Sequence, residues 1–189
     1  MRRKKLGGEV YMTQIILLAT SVLLSGCLLL NDVNSVPMLS PSIGETALQP
    51  ERAIVIYGIG IEGQHKGEPM FGAQLDEYSV ERQSITGSCW RYNKMEATVP
   101  AIVGTHQYFA FEVSPGFYAA RSYLSQLDKM TAFEVPPGHL VYLGDFIWTI
   151  EGKVELKRDP EAVRSYFKKD VLLADTRLVP RVPSIICMT

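Results

Sequence analysis

Short runs of β-branched and aromatic residues, broken every few positions by glycine or proline, fill the sequence after residue 50 and constrain the fold more than any other feature. The first, Ala53-Ile54-Val55-Ile56-Tyr57-Gly58-Ile59-Gly60-Ile61, is apolar on both alternating faces, as in a strand buried on each side. Further strand-like runs fall at 78–83, 88–92, 108–113, 117–124, 131–135, 140–150 and 153–157. Runs this close leave little room for the crossover helices that parallel strands need. The pattern therefore predicts a mainly β fold, an antiparallel β-sandwich.

A short repeat adds detail. Phe111-Glu112-Val113-Ser114-Pro115-Gly116 returns 22 positions later as Phe133-Glu134-Val135-Pro136-Pro137-Gly138. Proline presets φ for the first central position of a turn, and glycine accepts the positive φ that follows in type II, so each copy reads as a strand entering a turn. Alternation places Phe111 and Val113 on one face with Glu112 opposite, and Phe133 and Val135 against Glu134. Two copies are too few for a solenoid and suggest two neighbouring hairpins.

One helix is expected after the strands. Asp159 can cap it, Pro160 suits its first turn and Glu161 complements its dipole. Val163, Tyr166, Phe167 and Val171 then form an apolar stripe that should pack on the sandwich, with the helix ending near Leu173. The tail 178–189, with Pro180 and Pro183, reads as extended.

The N-terminal quarter has a different character. Arg2, Arg3, Lys4 and Lys5 precede an apolar stretch from Ile15 to Leu24 of about ten residues, the length of a secretion-signal core and half of what a membrane span needs. It ends in Leu24-Ser25-Gly26-Cys27, which resembles the lipobox of bacterial lipoproteins at each position. The resemblance implies a signal peptide over 1–26, removal before Cys27, a diacylglycerol on the Cys27 thiol and an acyl chain, such as palmitate, on its freed amine. Two or three buried chains make such attachment effectively permanent. Leu28, rather than aspartate, follows the cysteine, which in this resemblance implies the outer membrane. Residues 27–50, rich in Ser, Pro, Asn and Gly, read as a lipidated flexible tether, and 51–189 as the β-sandwich domain with its C-terminal helix and tail.

Export also bears on the cysteines. After acylation of Cys27, Cys89 and Cys187 remain, an even number in an oxidising compartment, and a disulfide between them is expected to staple the tail onto the sandwich. A chain of 189 residues with 47% hydrophobic and 21% charged residues suits one compact domain. From Cys27 onward, 15 basic residues stand against 19 acidic ones, so the mature chain lacks the basic stripe that nucleic-acid binding requires.

Catalytic motifs are absent from the sequence. The three histidines, His65, His106 and His139, lie at no metal-ligand spacing from one another or from cysteine, and no metal or cofactor beyond the lipid on Cys27 is expected. Gly58-Ile59-Gly60-Ile61-Glu62-Gly63 lacks the Lys-Ser/Thr of a phosphate loop and reads as a strand ending in a loop. Ser88, beside Cys89 and Trp90, has no identifiable base. Asp145, set in the apolar stretch Leu143-Gly144-Asp145-Phe146-Ile147-Trp148, is the one carboxylate whose burial would attract notice; a bulge with Asp145 bonded to backbone explains it without catalysis.

The strand, the Pro-Pro-Gly turn and Val141-Tyr142-Leu143-Gly144-Asp145 are similar to uncharacterised bacterial lipoproteins with a transthyretin-like or PEGA-like β-sandwich over about 52–157. That group brings no agreed activity; the lipobox, the tether and the missing catalytic set lead instead to the expectation of a membrane-anchored envelope lipoprotein, facing the periplasm or the outside, that is no enzyme and binds or supports another envelope protein. The alternatives are an envelope hydrolase acting on peptidoglycan or lipid, with a site from Asp145, His139 or His106, and a small-ligand carrier with a deep apolar cavity. A histidine within about 3.2 Å of a carboxylate in an open cleft would favour the hydrolase.

Overall fold

The computed structural model describes residues 32–39, 48–64, 67–86, 91–120 and 129–181. Cys27, Cys89 and Cys187, and with them the expected lipidation site and disulfide, lie outside the described residues, as do His65, Ser88 and Trp90.

Two sheets face each other. The first runs β1 (Asp32–Ser35), β5 (Arg91–Pro100), β3 (Met70–Ser79), β7 (Gly116–Ala120), β8 (Lys129–Val135) and β12 (Thr176–Pro180), with the two-residue β4 (Ser84–Ile85) paired to β3. The second runs β10 (Val154–Lys157), β9 (Leu140–Trp148), β2 (Ala53–Ile61) and β6 (His106–Val113), with β11 (Leu172–Leu173) beside β9. The fold is thus a β-sandwich with a single short helix, α1 (Pro160–Phe167), near the C-terminus.

Alternation decides which residues meet between the sheets. Val55, Tyr57 and Ile59 of β2, Phe109 and Phe111 of β6, Leu75 of β3 and Phe133 of β8 all point into one buried cluster. The Tyr57 and Phe111 rings stack there at 5.5 Å, and Phe146 meets Tyr57 edge-on at 5.7 Å. The opposite faces of β2 and β9 carry Ile54, Ile56 and Tyr142, which the helix covers with Val163 and Phe167. Asp159 caps that helix through the Ala162 N–H at 3.0 Å, and Lys168 ends it in the left-handed conformation. The helix is shorter than its sequence stripe: Tyr166 is half exposed, and the chain leaves α1 early enough for Leu172 and Leu173 to pair with β9.

Four expectations need correction. The sandwich is not antiparallel throughout, because β2 pairs with β9 in parallel, as does β11. The two repeat copies do not close hairpins: one turn carries the chain from β6 in the second sheet to β7 in the first, and the other from β8 back to β9. Their inward residues, Phe111, Val113, Phe133 and Val135, do share the core as alternation requires. Residues 80–83 form a turn where a strand was expected, and the strand lies instead over the more polar β3.

The fourth correction concerns the tether. Part of 27–50 is built into the sandwich: Asp32–Ser35 is β1, Val36 donates to the Lys94 carbonyl at 2.9 Å, and Leu39 donates to Ala110 at 2.8 Å with Met38 bridging Phe111. The physical reason is a sparse apolar series, since Val33, Val36 and Leu39 each pack on a buried cluster. Residues 36–39 therefore form a strap from the first sheet to the edge of the second. Asn34 bonds Asn93 at 2.8 Å and Val36 bonds Lys94, so the strap departs from the N-terminal end of β5.

Candidate functional site

Two glycines on β2 create the site. Gly58 lies opposite Tyr108 of β6 on one side and Asp145 of β9 on the other, and Gly60 lies between His106 and Ile147. With no side chains at these two positions, neighbouring side chains close over the β2 backbone: Asp145 over Gly58, and Ile147 with His106 over Gly60. A Cβ on Gly58 would sit 2.2 Å from Asp145 Oδ1, so the carboxylate occupies the space that a side chain would take.

Asp145 reaches this face through an irregularity in β9. Gly144 adopts φ +127, and the β2–β9 register shifts between Ile56 and Gly58. The extra residue brings Asp145 to the same side as Tyr142. Tyr142 donates its hydroxyl to Asp145 Oδ1 at 2.8 Å, and His106 Nε2 lies 3.0 Å from Oδ2. The Tyr142 oxygen in turn accepts the Asp159 N–H at 3.4 Å, which ties the network to the start of α1.

Burial differs across the network. Tyr142 is fully buried and Asp145 is 6% exposed, whereas the His106 side chain is 40% exposed. Burial, then the hydrogen bond to Asp145, pushes the Tyr142 phenol far above its ordinary value. Burial and the Asp145 charge push Tyr108 up to about 12. Tyr108 meets the His106 ring edge-on at 4.9 Å and Tyr166 of the helix at 5.0 Å.

Chemically, a carboxylate that accepts from Nε2–H leaves Nδ1 of a neutral imidazole as an acceptor. Such a ring can take a proton or hold a donor. Both Asp145 oxygens are already engaged, and the same contacts clamp β6, β9 and the helix start together. Among the described residues no group of three His, Cys, Asp or Glu side chains could hold a metal ion.

Of the residues the sequence offered for a hydrolase site, the fold brings together His106 and Asp145. His139 stays apart in the β8–β9 turn, exposed, its Nδ1 at 2.6 Å from the Pro137 carbonyl. Tyr142, Gly58 and Gly60 were missed; the one signal for them was glycine inside a strand-like run, which marks a close approach as well as a loop. No protein-family model, curated protein or solved structure matches this chain. Function must therefore be argued from the residues themselves.

The buried phenols make one pH prediction. Tyr57 and Tyr118 are raised mainly by burial, as Tyr142 and Tyr108 are. Between pH 10 and 12 the unfolded chain loses phenolic protons that the fold retains, so stability present below pH 10 falls as pH rises through that window. Denaturant unfolding at pH 9, 10 and 11 should show a loss approaching roughly 1.4 kcal/mol per pH unit for each of the fully buried Tyr57, Tyr118 and Tyr142, and less for the partly exposed Tyr108. A flat profile to pH 11 would mean the hydroxyls are reached by water.

Proposed function

We propose that this chain is a lipid-anchored protein of the bacterial envelope, held by Cys27 to the outer membrane, that is not an enzyme and presents its far end to another envelope protein. The observation that carries the reading is an exposed apolar tip at the Pro100 end of β5. Five residues lie between Cys27 and Val33, and the six Cα–Cα steps reach about 21 Å at most. Asn34 bonds Asn93 near the start of β5, and β5 runs on to Pro100, about 23 Å further. Beyond Pro100 lie Ile102 and Val103, 64% and 50% exposed, and at the same end Ile150, 77% exposed. The Ala101 N–H bonds Pro69, Gly104 bonds Ile61 and Glu62 bonds Trp148, which joins these loops into one apolar tip.

The exposed aliphatic side chains favour contact with another protein. Cells fed a palmitate analogue should tag the wild type, whereas Cys27→Ala should lose the tag and keep the precursor mass. A photoreactive residue at 150 should give one discrete adduct in the native envelope, reduced at least fivefold by Ile102→Glu. An unchanged adduct in that variant would count against the tip as the contact.

The His106–Asp145 distance of 3.0 Å favours a second reading, an envelope hydrolase with His106 as general base. It requires that purified protein cleave peptidoglycan or lipid and that His106→Ala abolish the cleavage. The clamp role requires neither.

A further inference from the structure

A cavity of about 480 Å³ opens beside Asn34 and Asn93, between the strap and the walls of the two sheets. Its polar groups are held in place before any ligand arrives. Arg52 donates Nε to Glu112 Oε1 at 3.1 Å, Nη1 to Ser114 Oγ at 2.9 Å and Nη2 to the Glu112 carbonyl at 3.1 Å. Asn34 donates to Asn93 Oδ1 at 2.8 Å, and Asn93 is fixed by Glu77 at 2.7 Å. Tyr118 gives its proton to the Ser114 carbonyl at 2.9 Å.

The unused capacity is specific. A guanidinium has five N–H bonds, so two remain on Arg52, one on each terminal nitrogen. Glu112 keeps Oε2 and Asn34 keeps Oδ1 as acceptors. A lone anion would meet the Glu112 carboxylate and a lone cation would meet Arg52, so each is opposed by one of the pair. A ligand carrying both charges a few ångströms apart meets neither penalty and satisfies both sets of groups.

We propose that this cavity binds a small zwitterion, its phosphate or carboxylate on the free Arg52 N–H groups and its primary ammonium on Glu112 Oε2 and Asn34 Oδ1. Two sources offer that chemistry, the phosphoethanolamine headgroup of a membrane lipid and a free amino acid.

Calorimetric titration of the full chain in detergent separates them, using glycerophosphoethanolamine, alanine, glycerophosphate and ethanolamine as probes. At least one zwitterion should bind at least tenfold more tightly than either single-charge probe. Preference for glycerophosphoethanolamine assigns a headgroup site, and preference for alanine a free amino acid site. Glu112→Gln should cut zwitterion binding at least tenfold while narrowing the margin over glycerophosphate. Asn34→Ala, at the exposed rim, should weaken ammonium-bearing probes several-fold with an unchanged melting temperature, which guards against misfolding of the Glu112 variant. Glycerophosphate binding as tightly as the zwitterions, or no zwitterion binding at millimolar concentration, would overturn the proposal.

Discussion

Gly58→Val is expected to cost the domain about 3–5 kcal/mol, enough to remove a large share of ordinary domain stability. The new Cβ would lie 2.2 Å from Asp145 Oδ1 and 2.7 Å from its Cγ, so the carboxylate must leave. Overfilling a packed site costs about 1–3 kcal/mol. Expelling Asp145 also leaves the fully buried Tyr142 hydroxyl without its acceptor, for roughly 1–3 kcal/mol more. The melting temperature should fall by roughly 10 °C or more. Gly152→Ala is the matched comparison: a Cβ there meets nothing within 4 Å, and the cost is the backbone strain of φ +73, about 1 kcal/mol. Equal losses in the two variants would mean that Asp145 is not packed over Gly58 as described.

Asp145→Ala should destabilise by about 2–4 kcal/mol, because it strands the Tyr142 hydroxyl and opens a small void beside β2. Asp145→Asn keeps the shape and leaves an oxygen for Tyr142, with its amide turned toward a His106 nitrogen that accepts. Its cost should stay below about 1.5 kcal/mol. This pair of substitutions separates the two roles open to the network. A clamp tolerates asparagine and not alanine, whereas a general-base histidine needs the carboxylate charge to stabilise its protonated form and loses activity in both. Stability measured by denaturant unfolding, set beside any hydrolysis assay, gives both answers from the same protein samples.

The strands legible in the sequence are those with apolar residues on both faces or strong alternation. β2 is buried along its whole length, and its nine residues carry no charge. β3 and β5 were harder. β5, Arg91-Tyr92-Asn93-Lys94-Met95-Glu96-Ala97-Thr98-Val99-Pro100, mixes helix formers and charges, and its inward set is Met95, Ala97 and Val99. Period-two alternation was present there, but small and flexible inward residues hid it. The pairing of β2 with β9 could not be read locally, since parallel partners are set by the whole fold. The same holds for His106 and Asp145, 39 residues apart and joined only because β2 offers two glycines between their strands. Val33, Val36 and Leu39 were lost among Ser, Pro and Asn, where composition outweighed three apolar side chains that each find a cluster.

The early start of the sandwich changes what the anchor implies. With β1 beginning at Asp32, five residues after Cys27, little chain is left to hold the domain away from a bilayer. The polar cavity beside Arg52 and the apolar tip around Ile102 and Ile150 are separate surfaces of the domain, and which of them a lipid on Cys27 would bring to a membrane follows from that modification. Everything in that arrangement depends on Cys27. Mass spectrometry of the N-terminal peptide, from protein purified out of its native membranes, reads the modification directly. The expected peptide begins at Cys27 and carries the mass of a diacylglycerol with an added N-acyl chain; a peptide that retains residues 1–26, or that begins elsewhere with Cys27 unmodified, would contradict the lipid-anchored reading.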